Sequence, residues 1–143
     1  MLTYRSSVVI ARPADVVFPY LVEPQRQALW SDVPMRQLTD GPLRTGSRLE
    51  VTFGKGPLKA VIGLELTEVA PAQRMAWRSF SGPIGWRGSY ELTATDPATT
   101  SVAQDGELTF HGLWRLVEPI VSGEIRSGEV KELERLKEVV EAG

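Results

Sequence analysis

Three side chains in the sequence have the chemistry to move a proton or to hold an oxyanion. His111 is the single histidine, and its imidazole titrates near neutral pH, as a general base requires. Arg78 carries a guanidinium fork that can hold a carboxylate or an enolate oxygen. Gln104 shares a strand face with Val102 and Leu108, which directs its amide towards the interior. These three residues are the candidate catalytic groups.

Each candidate also has an ordinary structural explanation. His111 precedes Gly112 at the predicted end of the last strand, where a histidine often bonds a local carbonyl group. Arg78 and Arg87 each follow a tryptophan, so they face solvent if the tryptophans face inward, unless a bulge turns one of them round. Glu65 alternates with leucines and is expected to be exposed. No Gly-x-Ser-x-Gly motif occurs, which disfavours a serine hydrolase.

Composition excludes several other kinds of site. The 143 residues include no cysteine and one histidine, which excludes a disulfide framework, a thiol nucleophile and a metal site built from His and Cys. We expect neither a metal nor a cofactor. The net charge of −2 and the dispersed arginines predict no nucleic-acid partner. Apolar stretches of only a few residues predict no membrane insertion, and the absence of a signal-peptide pattern predicts a cytoplasmic location.

The elements that must position these side chains follow from the hydrophobic pattern. Residues 2–11 alternate as an opening strand, and Pro13 and Pro24 each begin a short helix. Between residues 33 and 111, short alternating runs are separated by Gly, Pro and Asp turns, which predicts an antiparallel meander. The glycines inside these runs are expected to mark bends and bulges; they are Gly63, Gly88 and Gly106.

A further glycine pair, Gly54 and Gly56, flanks Lys55 and resembles the start of a dinucleotide-binding motif. A strand follows rather than a helix, so no helix N-terminus is available for a pyrophosphate, and we predict a hairpin turn instead.

The last 30 residues have helical spacing with two apolar faces. One face carries Leu113, Leu116, Val117 and Ile120, and the other carries Ile125, Leu133, Leu136 and Val140. Gly123 and Gly128 lie where the two faces meet, so we predict one long helix that bends or breaks there. These glycines either pack closely on the sheet or let a ligand approach. No repeat or linker occurs, which predicts a single domain over residues 1–143.

Three stretches of the sequence resemble one known family. VVIARPADVVFPYLVEP followed by Trp30, LTEVAPAQRMAW, and GELTFHGLWRLVEPI with LERLKEVVE are similar to the polyketide cyclase/dehydrase branch of the START-like (SRPBCC) superfamily. The resemblance covers essentially the whole chain. It implies the α+β helix-grip fold, with two short helices after the first strand. In this fold a curved seven-stranded antiparallel sheet wraps around a long C-terminal helix and encloses an apolar cavity.

A sheet that curves around a helix leaves space that side chains or a ligand must fill. Aromatic side chains recur on the predicted strand faces, where they either pack as core or line the cavity. The candidate ligand-binding residues are Trp30, Phe53, Trp77, Trp86, Tyr90, Phe110 and Trp114.

Three functions remain open at this point. The first is binding of a hydrophobic small molecule, whether aromatic, polyketide-like or lipid-like, in the cavity. The second is a cyclase/dehydratase-type enzyme that uses the same cavity. The third is a protein-interaction module, as in the chaperone-activating relatives. An apolar residue left outside by the changing phase of the last helix is a candidate homodimer contact.

Overall fold

The computed structural model describes residues 1–54 and 56–143. Lys55, the middle residue of the predicted hairpin turn, lies outside the described residues. The helices and strands, in chain order, are β1 (Leu2–Ile10), α1 (Ala14–Val22), α2 (Pro24–Gln27), β2 (Met35–Gln37), β3 (Arg48–Phe53), a 3₁₀ helix (Gly56–Leu58), β4 (Ala60–Ala70), β5 (Arg74–Ser81), β6 (Ile84–Asp96), β7 (Thr99–Phe110), a second 3₁₀ helix (Gly112–Leu116) and α3 (Glu118–Ala142).

The strands form one antiparallel sheet in the order β1-β7-β6-β5-β4-β3-β2. The C-terminal half of α3 buries Leu133, Leu136 and Val140 in the core, together with Val17 and Leu21 of α1. The predicted α+β helix-grip architecture is therefore confirmed, including the two short helices after β1. No helix in the described part of the chain combines the length and apolarity needed to cross a bilayer.

Two paired glycines shape the centre of the sheet. Gly106 of β7 is opposite both Gly88 of β6 and Tyr4 of β1, while Gly88 is also opposite Trp77 of β5. A Cβ atom on Gly106 would lie 2.0 Å from Tyr4 Cζ, and one on Gly88 would lie 2.6 Å from Trp77 Cζ2. These glycines leave room for two aromatic rings rather than forming the expected bulges. The expected irregularity does occur at Gly63, where the register with β5 shifts.

Replacing Gly106 with alanine should therefore lower the free energy of unfolding by about 3 kcal/mol, because the new methyl group overlaps the Tyr4 ring. Urea denaturation measures this change. Gly123→Ala is the matched control, since a Cβ there meets nothing within 4 Å and the substitution should stabilise the helix by about 1 kcal/mol. Equal stabilities of the two variants would contradict the steric argument.

The C-terminal segment departs from the prediction. Helix α3 runs continuously through Gly123 and Gly128, and the break lies earlier, at Val117 between the 3₁₀ helix and α3. A Cβ at either glycine would meet nothing within 4 Å, so of the two alternatives for these glycines, close packing on the sheet is wrong.

The first predicted apolar face of this segment does not pack inside the chain. Leu113 is 83% exposed, and Leu116 and Ile120 are each 72% exposed. Residues three apart eclipse one another in a 3₁₀ helix, so Leu113 and Leu116 point outward together while Trp114 and Val117 face the sheet side. The sequence prediction treated this segment as an α-helix and therefore placed Val117 on the same face as Leu113 and Leu116.

Candidate functional site

An open cleft of about 290 Å³ lies between the sheet and α3, and the helix residues that line it run from Val121 to Arg135. We call this space the outer cleft. Its sheet wall comes from the ends of the central strands, and its other wall comes from the second 3₁₀ helix and α3. The apolar side chains that line it are Val33, Phe53, Leu58, Ala60, Ile84, Leu108, Phe110, Trp114, Val117, Val121 and Ile125.

A smaller space of about 60 Å³, the inner pocket, lies deeper between the sheet, α2 and α3. Its walls include Trp30, Trp77, Trp86 and Tyr90. These rings pack edge-on or tilted, with centroids 5.1 to 6.2 Å apart between neighbours. Edge-on and tilted contacts are favourable geometries for aromatic rings, so the aromatic walls of the inner pocket pack against one another.

The outer cleft and the inner pocket share Val33, Glu129 and Glu132. Glu129 is only 8% exposed, and Glu132 is half-buried one turn further along α3. Burial raises the pKa of Glu129 to about 8; Glu132 adds to the rise, and Gln104 opposes it. Burial also raises the pKa of Glu132, against the lowering effect of a hydrogen bond from the Asp32 main chain. Two carboxyl groups therefore stand where the cleft meets the pocket.

Tyrosines from two strands surround the same region. Burial, followed by the nearby Glu129, raises the pKa of Tyr90 well above its ordinary value. The pKa of Tyr4 is raised in the same way and for the same causes. Trp86 Nε1 donates a hydrogen bond to the Tyr4 hydroxyl at 3.0 Å. Trp77 Nε1 is buried without a hydrogen-bond partner among the described residues. Both tyrosines thus stay neutral donors at physiological pH.

Gln104 positions α3 on the sheet. Its side chain is buried, and Nε2 donates to Ser6 Oγ at 3.0 Å and to the main-chain carbonyl of Glu129 at 3.1 Å. The amide does face the interior, as the strand pattern predicts, but it lines neither the outer cleft nor the inner pocket. Its position makes it a support for the Glu129 backbone rather than a group that meets a ligand.

The two predicted arginines lie on the opposite face of the sheet. Arg78 is exposed and pairs with Glu65 at 3.5 Å, and Arg87 is exposed and pairs with Glu107 at 2.6 Å. A depression of about 650 Å³ lies on this face, but it is open to solvent and its charged rim is tied up in such pairs. The solvent-facing alternative for Arg78 and Arg87 is therefore correct. Glu65 is half-buried between Arg48 and Arg78 rather than exposed.

His111 is exposed at the junction of β7 and the second 3₁₀ helix, with its imidazole near Gly85. It lines neither the outer cleft nor the inner pocket. The structure therefore does not bring together the three catalytic candidates Arg78, Gln104 and His111.

Comparison with known proteins agrees with this architecture. The family model described as polyketide cyclase / dehydrase and lipid transport matches residues 1–141. The chain belongs to that family. A search of curated proteins found no match.

Solved structures of other proteins share the fold of this cyclase/dehydrase family member. The Zhui aromatase/cyclase from Streptomyces sp. R1128 superimposes with a TM-score of 0.80 at 13% identity, covering 97% of this chain and 93% of that one. TTHA0849 from Thermus thermophilus gives a TM-score of 0.79 at 16% identity, covering 98% and 97%. The di-domain aromatase/cyclase BexL from the BE-7585A biosynthetic pathway gives 0.69 at 18% identity, and this chain spans 47% of it.

All seven aromatic candidates lie beside the two spaces in this family member. The inner pocket is lined by Trp30, Trp77, Trp86 and Tyr90. The outer cleft is lined by Phe53, Phe110 and Trp114. Their assignment as ligand-binding residues remains a prediction.

Sequence reasoning missed Glu129 and Glu132. A usable signal was present for Glu129, which is four residues from both Ile125 and Leu133 and so interrupts the apolar face of α3. A charged residue inside such a face is a marker for a buried ionisable group. Glu132 carries no comparable signal, because it belongs to a run of charged residues, with Lys131, Glu134 and Arg135 nearby in the sequence.

Proposed function

We propose that the protein binds a hydrophobic small molecule, aromatic, polyketide-like or lipid-like, in the outer cleft, with one end reaching the inner pocket. The observation that carries this proposal is the 290 Å³ space between the sheet and α3. The family description, which includes polyketide cyclases, dehydrases and lipid transport, supports the same ligand chemistry.

The chemistry of the walls supports binding driven by burial. Apolar side chains such as Phe110, Trp114 and Ile125 line the outer cleft, and each Å² of apolar surface removed from water contributes roughly 25 cal/mol. Gly128 faces the same space and puts no side chain into it. Of the charged lining residues, Asp32, Glu124 and Lys131 are exposed at the rim, whereas Glu129 and Glu132 lie at the junction with the inner pocket, where they would orient a ligand.

Titration with the uncharged fluorescent probe N-phenyl-1-naphthylamine tests this function. We expect saturable binding with one site per chain and displacement by compounds extracted from the protein purified from its own host and identified by mass spectrometry. Absence of both probe binding and a co-purifying compound would overturn the proposal.

A second candidate function is catalysis of cyclisation or dehydration in the same space, and one observation favours it. Glu129 is a buried carboxyl group whose pKa lies near 8, so it holds a proton at neutral pH and can also exist as a base. In a β-hydroxyketone, a carboxylate would take the proton from the carbon next to the carbonyl. The carboxyl group formed in this way then returns that proton to the hydroxyl group, which leaves as water while the carbon–carbon double bond forms. Glu129 would act as that base.

The variant Glu129→Gln tests this second function. It keeps the shape of the side chain but cannot exchange a proton, so turnover of an aromatic β-hydroxyketone should fall at least 100-fold while the substrate still binds. In the parent protein, the rate should follow ionisation of a group with a pKa near 8. His111→Ala is the control and should retain full activity. Unchanged turnover in Glu129→Gln would exclude this role.

A further inference from the structure

The inner pocket combines aromatic walls with two carboxyl groups, and no basic residue of the described chain lines it. Its ionisable lining residues, apart from Tyr90, are Glu129 and Glu132, and its other polar lining residues, Gln27 and Ser31, are uncharged. Neither glutamate makes a salt bridge among the described residues. A buried carboxylate in this position lacks the counter-charge that such groups usually have.

Two basic residues of α3, Lys131 and Arg135, line the adjoining outer cleft, and Arg135 bonds to other groups. Arg135 Nη1 lies 2.9 Å from Asp32 Oδ1 and 3.4 Å from the main-chain carbonyl of Trp30. Glu132 accepts hydrogen bonds from the Asp32 main-chain N–H at 3.3 Å and from Ser31 Oγ at 3.5 Å, which are neutral donors. Arg135 therefore acts on Glu132 without forming a salt bridge with it, and Glu129 has no basic partner among the described residues.

The aromatic walls provide the other half of a cation site. Tryptophan faces attract an ammonium group within about 6 Å of the ring centroid, more strongly when water is excluded. Trp30, Trp77 and Trp86 all line the inner pocket, and the first two are almost completely buried. The pocket volume of about 60 Å³ leaves room for a small head group but not for an aromatic ring system.

We propose that the inner pocket receives a cationic nitrogen, so that the ligand is an apolar or aromatic molecule carrying a basic amine. This inference rests on the proposed binding function of the outer cleft, which would hold the apolar body. The ammonium group would lie against Glu129 and Glu132 and between the tryptophan rings.

Binding of an ammonium group at this site must displace a proton. The titratable groups that act on or respond to Glu129 are Tyr4 of β1, Tyr90 of β6 and Glu132 of α3, and none of them is a cation. The basic residues Lys131 and Arg135 of α3 line the adjoining outer cleft rather than the inner pocket. With a pKa of about 8, Glu129 is mostly protonated at pH 7 and ionises when the ligand cation supplies the missing charge. Amine affinity should therefore rise about tenfold from pH 6 to pH 7.

A matched pair of probes tests the proposal by isothermal titration calorimetry. The amine 2-(1-naphthyl)ethylamine and the alcohol 2-(1-naphthyl)ethanol differ in charge but hardly in shape. At pH 8.5 we expect the amine to bind at least tenfold more tightly. At pH 7, titrations in buffers of different ionisation enthalpy should show release of close to one proton for the amine and none for the alcohol.

Two variants test whether Glu129 causes the preference for the amine. Glu129→Gln should weaken amine binding at least tenfold and leave alcohol binding within about twofold. Glu134→Gln removes the same charge from an exposed position on α3 that lines neither space, and it should leave the preference for the amine intact.

Three results would overturn the inference. Equal binding of the two probes, or an unchanged preference in Glu129→Gln, leaves the outer cleft as a ligand site but excludes the amine. Binding of neither probe counts against the amine site, and if N-phenyl-1-naphthylamine also fails to bind, the proposed function falls with it.

Discussion

Replacing Gly128 with leucine should weaken binding of N-phenyl-1-naphthylamine about 100-fold while making the protein more stable. Gly128 lines the outer cleft, and a Cβ built there meets nothing within 4 Å, so a leucine side chain extends into the space that the ligand needs. A 100-fold loss corresponds to about 2.8 kcal/mol of binding free energy. Removing a glycine from a helix interior should add about 1 kcal/mol of stability. Fluorescence titration and urea denaturation measure the two effects.

Gly123→Leu is the matched control for this prediction. Gly123 lies on the same helix, and a Cβ there also meets nothing within 4 Å, but the residue does not line the outer cleft. The control should therefore gain similar stability and keep the affinity of the parent protein. If both variants lost affinity equally, the effect would come from helix flexibility rather than from occupied space. If neither lost affinity, the probe would bind somewhere other than the outer cleft.

The stability of Glu129→Gln relative to the parent protein should be about 3 kcal/mol higher at pH 7 than at pH 5. The reason is that the parent protein loses stability over that range. Burial raises the pKa of Glu129 from an ordinary 4.5 to about 8 in the folded state. The folded state therefore binds this proton more tightly than the unfolded chain does. As pH rises from about 5 to 8, the unfolded chain loses the proton first, and stability falls by about 1.4 kcal/mol per pH unit.

Urea denaturation at several pH values measures this dependence. In the parent protein, this contribution to stability is fully present at low pH and is lost as pH rises towards the folded-state pKa. Glu129→Gln cannot ionise at this position, so its decline with pH should be clearly shallower, with Glu132 as the remaining carboxyl group of raised pKa. Glu124→Gln, at the exposed rim, should retain the slope of the parent protein. A parallel decline in Glu129→Gln and the parent protein would assign the pH dependence to other groups. The expected result identifies Glu129 as a residue that costs stability and serves the cavity.

Much of the fold could be predicted from local patterns. In β1, Leu2, Tyr4 and Ile10 alternate towards the interior, and the turn residues between strands mark a meander of neighbouring antiparallel strands. On α3, the spacing of Leu133 and Leu136 identifies the buried face. These features depend on residues close together in the chain, and their periodicity is a property of the backbone itself.

The site was less predictable, because it depends on where distant elements meet. The roles of Gly88 and Gly106 follow from register: each lies opposite an aromatic residue of a neighbouring strand, and pairing is not encoded in either strand alone. The family resemblance predicted a cavity without saying which carboxyl group it contains. Glu129 becomes important only because α3 and the sheet together form the two spaces that meet beside it.

The strand order joins the two ends of the chain. Strand β1 pairs along its whole length with β7, so that Arg5 and Asp105, 100 residues apart, bond side by side. Such long-range pairing gives a high contact order, which slows folding because a long loop must close before the contacts can form. During synthesis, β1 emerges first but has no partner until β7 has been made. Helix α3 follows β7 in the chain, so the cavity can be enclosed only after α3 has also been made.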